Sequence, residues 1–354
     1  MAYTVGSKRV IKDDNTTQLS TLTVSTSDYL EITEVLGPPM FGSTSGFSFG
    51  GRSWPSPQQT TQDIYSFPFA ISFPATASDT GGNLIKTVYN HGSGQSKTEG
   101  FSVGGIDPDG RDSVTKFPFA ISSGLGSSAG NLNTESRLMA VASSLTECFS
   151  IGGIYHPPTG SASNIIQKFP FSAPFATATD TGGDLVESVA ETSSQANTED
   201  AFVSGGRLGT SGNWTKTIEK FPFSISSGSA TDVGDLTVEN KSTGGCSSST
   251  DGFTTGGSSL PGPPSGPTLT ISTIEKFPFA ISSGTATDIG DVSPLVRHTE
   301  NGSSSETSGF VMHGSPAPWA RRIYSFPFSQ TSGTGTYVGD INPTGFFDAV
   351  NSQV

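Results

Sequence analysis

Several kinds of chemistry are scarce in this chain, and each scarcity narrows what it can be. There are two cysteines, Cys148 and Cys246, 98 residues apart, and neither has a CxxC partner. That excludes a metal knuckle and leaves a disulfide framework unsupported, so both are expected as small buried or half-buried thiols. The four histidines, His91, His156, His298 and His313, show no HxH or HExxH spacing. Lys and Arg number 18 against 31 acids, a formal net charge of -13. Such a surface repels phosphate backbones, and Lys8-Arg9 and Arg321-Arg322 are too short to reverse that, so no nucleic-acid partner is expected. Apolar residues make up only 32%, and no run approaches the roughly 18 needed to span a bilayer, so membrane insertion is not expected. The stretch from Met1 to Arg9 has no apolar core or small-residue cleavage pattern, which predicts synthesis in a cytoplasm without a classical export signal.

What the chain has in quantity is Gly (44) and Pro (23), arranged with a period. The motif Phe-Pro-Phe occurs six times, starting at Phe67, Phe117, Phe169, Phe221, Phe277 and Phe326, with spacings of 50, 52, 52, 56 and 49 residues. A period near fifty marks a repeated supersecondary unit in a ring or array. Polar, Gly-rich stretches punctuated by aromatic and β-branched residues suit many short strands joined by turns, so the expected fold class is all-β.

Each repeat has the same internal order. A short strand ends in a glycine pair: Gly50-Gly51, Gly104-Gly105, Gly152-Gly153, Gly205-Gly206 and Gly256-Gly257, with His313-Gly314 in the sixth. A loop of variable length leads to the Phe-Pro-Phe strand. A turn then leads to a third segment of the form Ala-Thr-Asp-x-Gly-Asp, clearest from Ala230 and Ala286. The aromatic residue before each glycine pair projects to one face, and the glycines permit φ > 0 at the strand end. Both rings of Phe-Pro-Phe share a face because side chains alternate with period two. An Asp that recurs in turn chemistry reads as structural, since its carboxylate can accept backbone N–H bonds.

This order of strand, Gly-Gly, loop, aromatic strand, turn and outer strand over residues 40–350 resembles the kelch repeat of β-propellers. Phe-Pro-Phe stands where kelch repeats commonly have a Tyr-Asp pair, and the outer-strand Trp is missing. The resemblance implies a six-bladed kelch-like β-propeller over residues 38–354. Phe346–Val350 is expected to pair beside residues 46–50 and close the circle. Residues 1–37 lie outside the repeat. Alternating residues at Ser20–Thr26 and Tyr29–Val35 predict two strands, and Gly37-Pro-Pro-Met marks a boundary. This short β arm either packs around the propeller or attaches it to a larger assembly.

The loops after the glycine pairs vary most, and all three tryptophans lie there. Trp54, Trp214 and Trp319, with Arg321 and Arg322, are therefore the candidate binding residues, suited to a sugar or a protein surface. Asp107, Asp109 and Asp112 resemble the opening of a calcium loop, but the twelfth-position acid is absent, so a plain Asp/Gly turn is preferred and no metal or other cofactor is expected. Propeller enzymes need constellations that this chain does not announce. Neither the His/Tyr/Cys set of kelch-type copper oxidases nor the arginine triad and Asp boxes of sialidases has a matching pattern here. No catalytic residue is assigned, and the chain is read as non-enzymatic.

The arm, the Gly/Ser/Thr-rich β architecture and the repeats together resemble virion proteins of tailed bacteriophages of marine bacteria and cyanobacteria. That resemblance implies a structural or attachment protein of the particle, a capsid decoration, tail adaptor or fibre head. It would be present in many copies, docked on other virion proteins through residues 1–37, with its loops facing a host glycan or protein. The alternative is a carbohydrate-binding or carbohydrate-active propeller, which would carry an axial cluster of acids, Arg or aromatics. A cellular kelch adaptor would bring a recruitment domain for which residues 1–37 are too short.

Overall fold

The computed structural model describes residues 4–5, 8–9, 42, 44–53, 60–107, 110–155, 160–172, 174–209, 213–259, 269–293, 302–312, 322–341, 346–347 and 350–353. The chain forms two compact units, Met1–Gly37 and Pro38–Val354. In the first, Thr4–Val5 pairs antiparallel with Lys8–Arg9. The strands expected at Ser20–Thr26 and Tyr29–Val35 lie outside the described residues.

The second unit is all-β, has no helix among its described residues, and is arranged like a propeller. Four blades are separate sheets, each built from an inner strand, a second strand, a Phe-Pro-Phe strand and an outer strand in antiparallel order, the first with Gly124–Leu125 added parallel to its outer strand. One of them runs Gly92–Gln95, Glu99–Val103, Ser113–Pro118 and Ser127–Asn131. A further curled, half-barrel-like sheet of eleven strands spans Ala140–Ser143 to Leu269–Thr270. Within it, the long strand Thr179–Ala190 reaches Asp200–Leu208 through Val189 opposite Leu208 and Ala190 opposite Arg207.

The Phe-Pro-Phe residues explain why these sheets stand side by side. The first aromatic ring of every motif is 0–1% exposed. It lies with the second ring against the second-strand Phe of the preceding repeat. Phe47 meets Phe117 and Phe119 at 6.0 and 5.0 Å between centroids. Phe101 meets Phe169 and Phe171, Phe149 meets Phe221 and Phe223, Phe202 meets Phe277 and Phe279, and Phe253 meets Phe326 and Phe328. Phe310 of the last repeat returns to Phe67 and Phe69 of the first, at 5.7 and 5.0 Å. The exposed proline ends each strand, and in the first motif its carbonyl accepts the Ile71 N–H to make the turn.

Backbone bonds repeat the same circuit at the outer edge. Asn83, Asn131, Asp184, Asp235, Asp291 and Asp340 each accept one N–H from the next repeat, from Gly126, Ala178, Ala230, Ala286, Gly335 and Ala77 respectively, all at 2.7 Å. The preceding Asp of the motif is structural, as its turn chemistry suggests. Asp79, Asp180, Asp232 and Asp288 accept the N–H groups of Gly81, Gly182, Gly234 and Gly290 at 2.8 to 3.1 Å.

At the inner edge, each inner strand touches the next, from Gly92–Gln95 round to Val350–Gln353 and back. The C-terminal Val350–Gln353 pairs with Ser45–Phe49, Gly46 opposite Gln353, while Phe346–Phe347 pairs with Arg52–Ser53. The strand that joins the first sheet thus starts at Val350, the last residue of the Phe346–Val350 segment expected from the sequence, four residues later than expected. Crowding at the inner edge explains the small residues there: a Cβ on Gly92 would come within 2.2 Å of Val141. Cys148 is a small residue of the second strand Glu147–Ile151, its thiol facing Gly94 of the neighbouring inner strand. It sits opposite Phe169, where the first repeat has Gly46 opposite Phe67. Both cysteines are free and buried, and burial pushes each thiol up to about 12.

The cations of the Phe-Pro-Phe strands are paired within their own blades: Lys116 with Glu99, Lys168 with Glu147, Lys220 with Asp200 and Lys276 with Asp251, at 2.8 to 3.2 Å. These half-exposed pairs add little stability; the aromatic contacts carry the packing. We expect Phe310→Ala and Phe117→Ala to destabilise the fold by about 3–5 kcal/mol each in denaturant unfolding. A loss confined to Phe117→Ala would mean that the contact between last and first repeats is not made.

Candidate functional site

Four non-glycine residues have positive φ among those described: Asn90, Leu138, Glu191 and Ser242, at 54 to 56°. Each lies two residues before an inner strand, so they form one structural position repeated in four successive repeats. Their backbones are joined in sequence. The N–H of Leu138 donates to the Asn90 carbonyl at 2.9 Å, that of Glu191 to Leu138 at 2.9 Å and that of Ser242 to Glu191 at 2.7 Å. Left-handed backbone at non-glycine residues costs energy and persists where the surroundings fix it. Here the fixing partner is the neighbouring repeat.

Beneath this belt is a cavity of about 10 Å³, close to the room one water needs, lined by His91, Leu138, Met139, Glu191, Thr192, Ser242 and Thr243. His91 is 3% exposed, and neither of its ring nitrogens has a hydrogen-bond partner. Burial lowers its pKa to about 3, so the imidazole is neutral at ordinary pH. The Thr243 hydroxyl is also buried and unpartnered.

Glu191 faces two cations and a hydroxyl. Lys241 Nζ lies 2.7 Å from Oε2, the Ser242 hydroxyl donates to Oε2 at 2.9 Å, and Arg207 Nε lies 3.1 Å from Oε1. Burial alone would raise the pKa of this carboxyl, but the Lys241 charge, the Lys241 and Ser242 hydrogen bonds and Arg207 outweigh it and hold it below the ordinary value. Two other buried acids bind the backbone of the long outer strands Thr179–Ala190 and Thr231–Lys241. Glu219 accepts the Val186 and Glu187 N–H groups at 2.6 and 3.0 Å, and Glu275 accepts the Thr237 N–H. Burial raises both.

Of the sequence candidates, Trp54, Trp319, Arg321 and Asp109 lie outside the described residues. Trp214 opens the strand Trp214–Pro222 and is only 7% exposed, with Lys241 Nζ 5.3 Å from its ring centroid. It therefore packs against the edge of the Glu191 cluster and offers little free surface. Arg322 opens Arg322–Pro327, donates to the Tyr324 hydroxyl at 3.2 Å and lies 4.8 Å from the Tyr337 ring centroid. Asp107 accepts the Gly110 N–H at 2.8 Å and faces Lys86 Nζ at 3.6 Å. That describes an Asp/Gly turn, and the Asp112 carbonyl accepts the Leu132 N–H. Among the described residues no group of three or more His, Cys, Asp or Glu could hold a metal ion. The sequence reading missed His91, Glu191 and their neighbours because the belt position is Asn, Leu, Glu and Ser in turn, a repeat of conformation without a repeat of residue type.

No protein-family model matches this chain, and no curated protein matches it.

The neutral His91 sets a pH dependence. In the unfolded chain it protonates near 6.5, whereas the folded chain resists protonation down to about 3. Its stabilising balance is complete above 6.5 and is lost as pH falls below it, by about 2 kcal/mol at pH 5. We expect His91→Gln to flatten the fall in unfolding free energy between pH 6.5 and 5, whatever its effect at pH 8. An unchanged slope would mean that His91 is protonated in the folded protein.

Proposed function

We propose that this chain is a six-bladed, kelch-like propeller serving as a non-enzymatic structural or attachment protein of a tailed-phage particle. Residues 1–37 dock it on other virion proteins, and its loop face points outwards. The observation that carries this reading is the division of the chain into a small unit, Met1–Gly37, and a body whose last repeat bonds back to its first. A body complete in itself leaves the first unit available for attachment.

Six blades are inferred from the half-barrel sheet. It contains two sets of inner, second, Phe-Pro-Phe and outer strands, with second-to-third pairings Cys148–Phe169 and Ala201–Phe221 that match Gly100–Phe117 in a separate blade. Counting these two with the four separate blades gives one blade per Phe-Pro-Phe motif. The kelch-like reading rests on the glycine pairs, whose φ values of 57 to 65° and then 90 to 119° turn the chain out of each second strand. The second reading, a carbohydrate-binding propeller, is favoured by the charged residues gathered around Glu191.

Removal of residues 1–37 is expected to leave a folded body that no longer binds particles lacking the protein, as seen by imaging and co-sedimentation. Unfolding of the truncated chain would identify the segment as packing, and undiminished binding would place attachment elsewhere. Truncation after residue 345 is expected to lower Tm by far more than the loss of nine residues from a tail, because it opens the first blade. An unchanged Tm would contradict closure by the C-terminal strand.

A further inference from the structure

In a chain of net charge -13, several arginines collect around the belt of positive-φ residues. Arg137 immediately precedes Leu138 of the belt and lies opposite Ile154, just after a glycine pair. Arg207 follows another glycine pair and lies opposite Ala190, next to Glu191. The Arg111 carbonyl accepts the Ser136 N–H at 3.1 Å, which brings that segment alongside Arg137. Arg111, Arg207, Tyr89 and Glu191 all lie within electrostatic reach of the Arg137 guanidinium.

What distinguishes this cluster is that one carboxylate, Glu191, stands against three arginines and Lys241. Most described lysines are paired with an acid, and Lys241 and Arg207 share Glu191. Arg111 and Arg137 have no ion pair or side-chain hydrogen bond among the described residues, and the Nε of Arg137 is buried without a partner. Gathering like charges while leaving a buried N–H unsatisfied costs energy in the free protein. A guanidinium fork matches two oxygens of a carboxylate, sulfate or phosphate, and such a group would satisfy these donors together.

We propose that Arg111, Arg137 and Arg207 form an oxyanion-binding site beside Leu138 and Glu191 of the belt, for a carboxylate, sulfate or phosphate group of a ligand. Glu191 acts here as a positioning residue that holds Arg207 and Lys241. The site belongs to the propeller-like body and does not depend on where the protein assembles.

The test uses the full chain at low ionic strength, titrated separately with sodium glucuronate, sulfate and phosphate, and with sodium chloride at matched ionic strength. Binding is read by calorimetry and by the shift in Tm. Saturable binding of at least one oxyanion is expected, with a rise in Tm that chloride does not reproduce. Arg137→Ala and Arg111→Ala should each weaken it by roughly tenfold or more, and Arg137→Lys by less. Binding of glucuronate alone would identify a carboxylate ligand, and binding of sulfate or phosphate alone a tetrahedral one. Equal responses to chloride and all three oxyanions would overturn the proposal. So would undiminished binding in both alanine variants; the Tm of each variant without oxyanion separates lost binding from a folding defect.

Discussion

Everything in the propeller-like body depends on one recurring contact, the seating of a second-strand Phe against the two rings of the following Phe-Pro-Phe motif. A four-stranded antiparallel sheet has an apolar face that it cannot bury alone, and the motif supplies the cover from the next repeat. Aromatic rings at 4.8 to 6.1 Å in tilted or stacked geometry bury large areas and add directional attraction. The Phe310 contacts with Phe67 and Phe69 have the same geometry as the other five, so no repeat is left with an open face.

Two constraints follow from wrapping the repeats around an axis. Inner strands converge, and glycine stands where a Cβ would meet the neighbouring repeat, as at Gly92 against Val141 and Gly94 against Cys148. The chain entering each inner strand must also turn sharply, which produces the left-handed backbone at Asn90, Leu138, Glu191 and Ser242. The inter-repeat N–H bonds at those residues offset the strain, and His91 lies buried beside them. The charged groups around Glu191 gather beside the belt because the strand ends and the segments after the glycine pairs meet there.

Legibility in the sequence divides along physical lines. The Phe-Pro-Phe strands and the Gly-Gly turns were readable because their chemistry needs specific residue types: two rings on one face, and φ > 0 without a Cβ. The Asp of the outer strand was readable as a turn acceptor for the same reason. The inner strands were not. Gly92–Gln95 and Gly244–Ser247 are selected for small size, so they carry neither alternation nor β propensity and read as polar linker. That gap also misplaced the C-terminal pairing, since the apolar Phe346-Phe347 was the more strand-like choice. Trp214 shows the limit for sites: a loop tryptophan suggested exposed binding surface, but the strand extends to include it and the ring is buried. The arginine cluster had no sequence signal, because Arg111, Arg137 and Arg207 occupy different positions in their repeats and only the fold brings them together.

The central claim is that the circle of repeats is closed by the same forces that join neighbours within it. Amide hydrogen exchange tests it most directly, because six chemically equivalent N–H groups link consecutive repeats: Ala77, Gly126, Ala178, Ala230, Ala286 and Gly335. Ala77 is the one that joins the last repeat to the first. Closure predicts that Ala77 is protected to the same degree as the other five and loses protection with them in one cooperative opening. Rapid exchange at Ala77 with the other five still protected would mean that the circle is open, and the account would fail.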